Sequence, residues 1–134
     1  MRYFYFDTSI WLDVYEKRGK NGEVALKLIE KIIESRSIIL FSHAIIIELK
    51  HLDYSLEEIR HIFRVISSEN LRRVHISRET LNNAKKISAE RNVPEGDVIH
   101  SILARDNYAN LISRDKHFLK LKDVTKVFFP EEFI

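Results

Sequence analysis

The chain has 134 residues, 45% of them hydrophobic, with 22 basic side chains against 20 acidic ones and no cysteine. This is the length of a single domain, 1–134, with ample material for a core. A net charge of +2 excludes a polybasic nucleic-acid binder, and the missing thiols exclude disulfides, thiolate zinc sites and a cysteine nucleophile.

Arg2–Phe6 reads as a first strand, apolar or aromatic on both faces. Thr8–Lys17 carries Ile10, Trp11, Val14 and Tyr15 at helical spacing, and Gly19 and Gly22 break the pattern. Glu23–Glu34 is a second helix, and Ser37–Phe41 a second, wholly apolar strand. Ser42 can cap a helix over Ala44–Lys50, and Ser55 one whose apolar face runs from Leu56 to Ile66. That face suits a core, a dimer contact or a contact to a partner protein. Residues 72–76 (RRVHI) suggest a third strand, Ser77–Arg91 a helix ended by Pro94, and Asp97–Tyr108 another helix. Residues 110–113 (NLIS) and 126–129 (KVFF) read as strands four and five, flanking a short helix over Lys116–Leu121.

Apolar strands alternating with helices predict an α/β fold: a three-layer α/β/α sandwich around a central, mostly parallel five-stranded sheet. No apolar run approaches the ~20 residues of a membrane span. The N-terminus enters a strand with no small-residue cleavage site, so the expectation is a cytoplasmic protein with no membrane partner.

Ligands of such sheets bind at the carboxyl ends of the strands. Asp7 follows strand one, Asp115 follows strand four, Glu48 lies in the helix after strand two, and Asp97 opens a helix after the VPEG stretch. Each has an ordinary reading as well. Asp7 and Asp97 suit helix N-caps, Asp115 a turn or cap, and Glu48 a solvent-facing side chain. Gathered at one sheet edge, four carboxylates must take up protons or bind a cation, and oxygen ligands suit Mg²⁺ or Mn²⁺, as one or two ions. Arg114 and Lys116 flank Asp115 and are the best placed to steer phosphates to it. His100, three residues after Asp97, reads as structural or surface. There is no His-Glu-x-x-His pattern, phosphate-loop glycine motif or Gly-x-Ser-x-Gly elbow. An aspartyl nucleophile at Asp7 lacks its usual second Asp two residues on, where Ser9 stands.

The segments FDTSIWLD, IIIELK, PEGDVIHSILA and LISRDKHF resemble, in order and spacing, the four motifs of PIN-domain nucleases, above all the small stand-alone VapC-like toxins. The resemblance spans essentially the whole chain. It implies a PIN-like fold and a metal-dependent endoribonuclease acting on RNA, with Asp7, Glu48, Asp97 and Asp115 as catalytic metal-binding acids. Ser9 corresponds to the hydroxyl residue that hydrogen-bonds within the acidic site. A homodimer and a cognate antitoxin are the implied partners. A housekeeping RNA-processing nuclease and a non-cleaving binding module are the alternatives. The last motif departs from the family pattern: Ser113 keeps the hydroxyl of the usual Thr, and His117 replaces a second acid. His117 is thereby a neutral ligand, a contact to substrate phosphate or a partly exposed helix residue.

Overall fold

In the computed structural model, which describes residues 2–134, five strands form one sheet. They are β1 (Tyr3–Phe6), β2 (Ile38–Phe41), β3 (Leu71–Arg73), β4 (Ala109–Ile112) and β5 (Val127–Phe128). The order across the sheet is β3-β2-β1-β4-β5, and every pairing is parallel. Six α-helices connect them among the described residues: α1 (Thr8–Tyr15), α2 (Gly19–Glu34), α3 (His43–His51), α4 (Leu56–Phe63), α5 (Arg78–Arg91) and α6 (Glu95–Asp106). Short 3-10 helices cover Ser68–Asn70, Lys116–Leu121 and Pro130–Phe133. None of the helices is long and apolar enough to cross a membrane.

The central strand explains its own composition. Phe4, Tyr5 and Phe6 are buried because β1 is paired on both edges and covered on both faces. From β1 the chain steps outward through β2 to β3, with α1 to α4 in the crossovers. It then returns across the sheet and steps the other way through β4 to β5. Parallel crossovers are right-handed, so the two directions put their helices on opposite faces and complete the three layers. The order reverses between β1 and β4, and that gap is the natural ligand crevice of an open parallel sheet.

Several boundaries differ from the expectation for physical reasons. Helix α2 starts at Gly19, four residues before Glu23, so Gly22 lies inside a helix. A Cβ on Gly22 would stand 2.5 Å from the Asp13 carbonyl oxygen, so glycine here permits close packing of α2 on α1. Gly19, the first residue of α2, takes the left-handed φ of +56° that lets the chain turn into that helix from α1. The third strand covers Leu71–Arg73 and not 72–76, because its partner β2 ends at Phe41 and the last bond, from Val74 N–H to Phe41 C=O, closes the ladder. As an edge strand it keeps two exposed arginines, whereas the inner strands β1 and β2 carry only apolar and aromatic side chains. Helix α4 stops at Phe63, yet Ile59, Ile62 and Ile66 all join the core. Trp11 is core as well, edge-on to Phe6 and Phe63.

Candidate active site

Asp7 is the first residue beyond β1, and its N–H donates to the Ile112 carbonyl at the end of β4 (3.1 Å). This bond ties the acid to the strand-order reversal. Its carboxylate is the N-cap of α1, as the ordinary reading allowed: Oδ1 accepts from the Ile10 N–H at 3.2 Å and from the Ser9 hydroxyl at 2.8 Å. Oδ2 accepts from the Ser113 hydroxyl, one residue beyond β4. Ser113 Oγ in turn accepts the Asp115 N–H at 2.9 Å. Ser9 and Ser113 thus hold the acid from both sides.

Glu48 does not point to solvent. Helix α3, capped by Ser42, carries it toward the same crevice, where Oε2 accepts from the Thr8 hydroxyl and Oε1 meets His100 Nε2. Behind it, His100 Nδ1 meets the Tyr5 hydroxyl at 2.7 Å, and Tyr5 meets Ser42 Oγ at 2.8 Å. Tyr5, Ser42 and His100 have no exposed surface. Donation from Ser42 through Tyr5 and His100 to Glu48 satisfies every group in the line. The chain of contacts fixes the carboxylate from inside the protein.

Asp97 is not the cap of α6; that position is Pro94, and Asp97 sits within the first turn, its N–H bonded to the Pro94 carbonyl. The side chain is therefore free to face the crevice. Its Oδ2 is buried without a hydrogen bond. Asp115 caps the 3-10 helix that follows β4, accepting from the His117 N–H at 2.9 Å. The His117 ring stands between these two acids, with Nδ1 3.2 Å from Asp97 Oδ2 and 3.3 Å from Asp115 Oδ1.

The four acids expected from the sequence line one cavity of about 270 Å³, together with Thr8, Ser9, Leu12, Arg18 and Leu52. Their environments differ. Burial pushes Asp7 above the ordinary carboxylate range, against the hydrogen bonds of Ser113 and Ser9. Burial, with the charge of Asp115 beside it, pushes Asp97 up to about 6. Burial also disfavours ionised Glu48, but the bond and charge of His100 with the bond from Thr8 outweigh it and hold Glu48 below its usual value. The cavity is short of positive charge.

Asp97, Asp115 and His117 each offer a ligand atom, and these atoms lie within 4.8 Å of one another. Asp97, whose Oδ2 is buried without a hydrogen bond, belongs to that group, and in an oxygen-rich cavity it fits a hard divalent cation.

Of the residues expected to meet RNA, Lys116 is exposed. Arg114 spends its guanidinium on Glu131, with two bonds of 2.9 and 2.7 Å, and His117 faces the acids. Thr8, Tyr5 and His100 escaped the sequence reading as site residues. His100 could have been found from its place one helical turn after Asp97, on the same face of α6. Gly96 also escaped: a Cβ there would stand 2.7 Å from Glu48 Oε1, so the first turn of α6 has room for the carboxylate only without a side chain.

The family profile described as "PIN domain" matches residues 4–124. Among solved structures, the chain is similar to VapBC2 from Rickettsia felis, determined bound to a DNA fragment from its promoter. The two share 14% identity at a TM-score of 0.66, over 95% of this chain and 96% of that one. It is similar to a chain of a toxin–antitoxin complex from Klebsiella pneumoniae, with 20% identity, a TM-score of 0.60 and coverage of 95% and 97%. A third similar structure is PAE2754 from Pyrobaculum aerophilum, with 18% identity, a TM-score of 0.57 and coverage of 98% and 92%. No curated protein matches the chain in sequence.

Proposed function

This chain belongs to the PIN-domain family, and on that premise we propose that it is a divalent-metal-dependent endoribonuclease, the toxin of a toxin–antitoxin pair. The observation that carries the proposal is the convergence of Asp7, Glu48, Asp97 and Asp115, from four separate segments, on one cavity at the sheet's switch point. In this reading they hold one or two Mg²⁺ or Mn²⁺ ions. The bound cation supplies Lewis acidity toward the phosphodiester and makes water a nucleophile at neutral pH.

The chain's own residues divide the remaining work. Asp7 and Glu48 are the preset members, the first held by Ser9, Ser113 and the start of α1, the second by Thr8 and His100. Asp97 and Asp115 complete the site, and His117 between them favours one ion over two. Lys116, exposed beside Asp115, meets the RNA. Water attacks phosphorus, the bond to the 3′ oxygen breaks, and the products are a 5′-phosphate and a 3′-hydroxyl. Two similar structures come from toxin–antitoxin systems, which supports a cognate antitoxin that covers the site. A homodimer is the proposed assembly, and the cytoplasm the proposed compartment.

The test is a pool of labelled RNAs incubated with the protein in Mg²⁺, Mn²⁺ or chelator, beside Asp97→Asn. The proposal expects cleavage with 5′-phosphate ends that requires the metal and disappears in the variant. Cleavage that survives chelation, or an active Asp97→Asn protein, contradicts it.

A further inference from the structure

A second cavity, of about 500 Å³, shares Asp115 with the four-acid crevice and is lined on the chain around it by Ser113, Arg114 and Lys116. Asp115 lines both cavities, so they adjoin. The rest of the lining comes from the edge strand β5 and the 3-10 helices beside it, and the lining is largely apolar. Phe129 and Leu119 are each more than half exposed there, at 54% and 53%, and Phe128 is half-buried behind them. Exposed aromatic and aliphatic side chains in a concave wall are costly to leave in water and mark a binding surface.

The rim says what binds. Lys116, Lys122 and Lys126 line the cavity and are exposed, and none is in an ion pair among the described residues. Lys126 stacks over the Phe128 ring, its Nζ 4.7 Å from the centroid. Of the two acids lining the cavity, Glu132 accepts the Phe129 N–H at 2.8 Å and Asp115 accepts the His117 N–H at 2.9 Å, while Glu131, outside the lining, holds Arg114. An apolar, partly aromatic floor ringed by free cations is complementary to a ligand with flat apolar faces and a negatively charged backbone. Single-stranded RNA, with unstacked bases and phosphates, has both.

We propose that this cavity is a nucleobase subsite, in which one base of single-stranded RNA stacks on Phe129 while Lys116, Lys122 and Lys126 hold the flanking phosphates. The inference rests on the endoribonuclease reading and adds to it: the strand runs from the subsite past Asp115, and the phosphate next to the seated base is presented to the four acids. The enzyme therefore selects unpaired segments, since a base inside a duplex cannot enter.

The probe is a fluorescein-labelled single-stranded oligoribonucleotide of about twelve nucleotides, within the track of a single-strand-binding domain. Its affinity is measured by anisotropy in chelator across a salt series, for the wild type, Phe129→Ala and the double variant Lys122→Ala/Lys126→Ala. Phe129→Ala removes a stacking face, and the dissociation constant rises about tenfold at every salt concentration. The lysine pair instead flattens the plot of log affinity against log salt by roughly 1.4, the share of two cations on a single strand. Both changes are on exposed side chains, and an unchanged melting temperature accompanies them. Wild-type affinity and salt slope in both variants overturn the subsite and leave the cavity to a protein partner. The same samples assayed with Mn²⁺ separate the two claims. A wild type that cuts RNA while the variants bind normally defeats only the subsite, and a wild type that neither binds nor cuts defeats both.

Discussion

At the residue scale the site is governed by where each carboxylate can afford its charge. Asp97 is pushed up to about 6 by burial and by Asp115, so its proton is held more tightly in the fold than in the unfolded chain. A raised carboxyl favours the folded state at low pH, and that contribution is lost as pH rises from about 4 through 6. Asp7, raised by burial, acts in the same direction. The metal-free protein is therefore expected to lose part of its thermal stability over that interval. A divalent cation should raise the melting temperature more at pH 7.5 than at pH 5, where protons compete for Asp97. Calorimetric scans at the two pH values, with and without Mn²⁺, check this; a Mn²⁺ shift as large at pH 5 refutes it. Asp97→Asn removes the charge that is hard to hold, so its metal-free melting temperature at pH 7.5 should equal or exceed that of the wild type while its response to Mn²⁺ disappears. His100→Ala leaves Glu48 without its inner partner. Free-Mn²⁺ electron paramagnetic resonance should show about tenfold or more weaker binding, as for other supports of metal ligands.

At the scale of elements, two glycines make sharper statements than their backbone freedom would. Gly96→Ala sends a methyl group against Glu48 Oε1, the mobile end of a side chain. The fold should survive, with a melting temperature close to wild type, while the displaced carboxylate gives up His100 and Mn²⁺ binding weakens. Gly22→Ala meets the Asp13 carbonyl, which cannot swing away. Denaturant unfolding should show a loss of about 1–3 kcal/mol, the usual cost of overpacking. Glycine inside a helical pattern reads as a break, so α2 was expected to begin at Glu23; a close approach of two helices is a tertiary fact with no local signature. The strand ends moved likewise, because β3 and β5 take their lengths from their partners. What was legible was what periodicity and capping encode: the five strands, the helices between them, and serine caps at Ser42 and Ser55.

At the scale of the whole molecule, the acids are legible because the topology is. A parallel sheet brings strand exits to one edge, so Asp7 and Asp115 fall together once β1 and β4 are neighbours, and α3 and α6 bring Glu48 and Asp97 over the same edge. The buried line from Ser42 to Glu48 was not legible, since Tyr5 and His100 lie 95 residues apart and each looks like core or surface alone. The cavity under Phe129 was hidden for the same reason: its walls come from segments that read separately as a strand, a turn and a charged surface.

Everything proposed for this chain depends on the four acids forming a metal centre. The most direct measurement is an isothermal titration of Mn²⁺ into the wild type and Asp97→Asn at pH 7.5. Saturable binding of one or two ions to the wild type, lost in the variant, is expected. Equal heats in the two proteins, or no saturable binding in either, would contradict it.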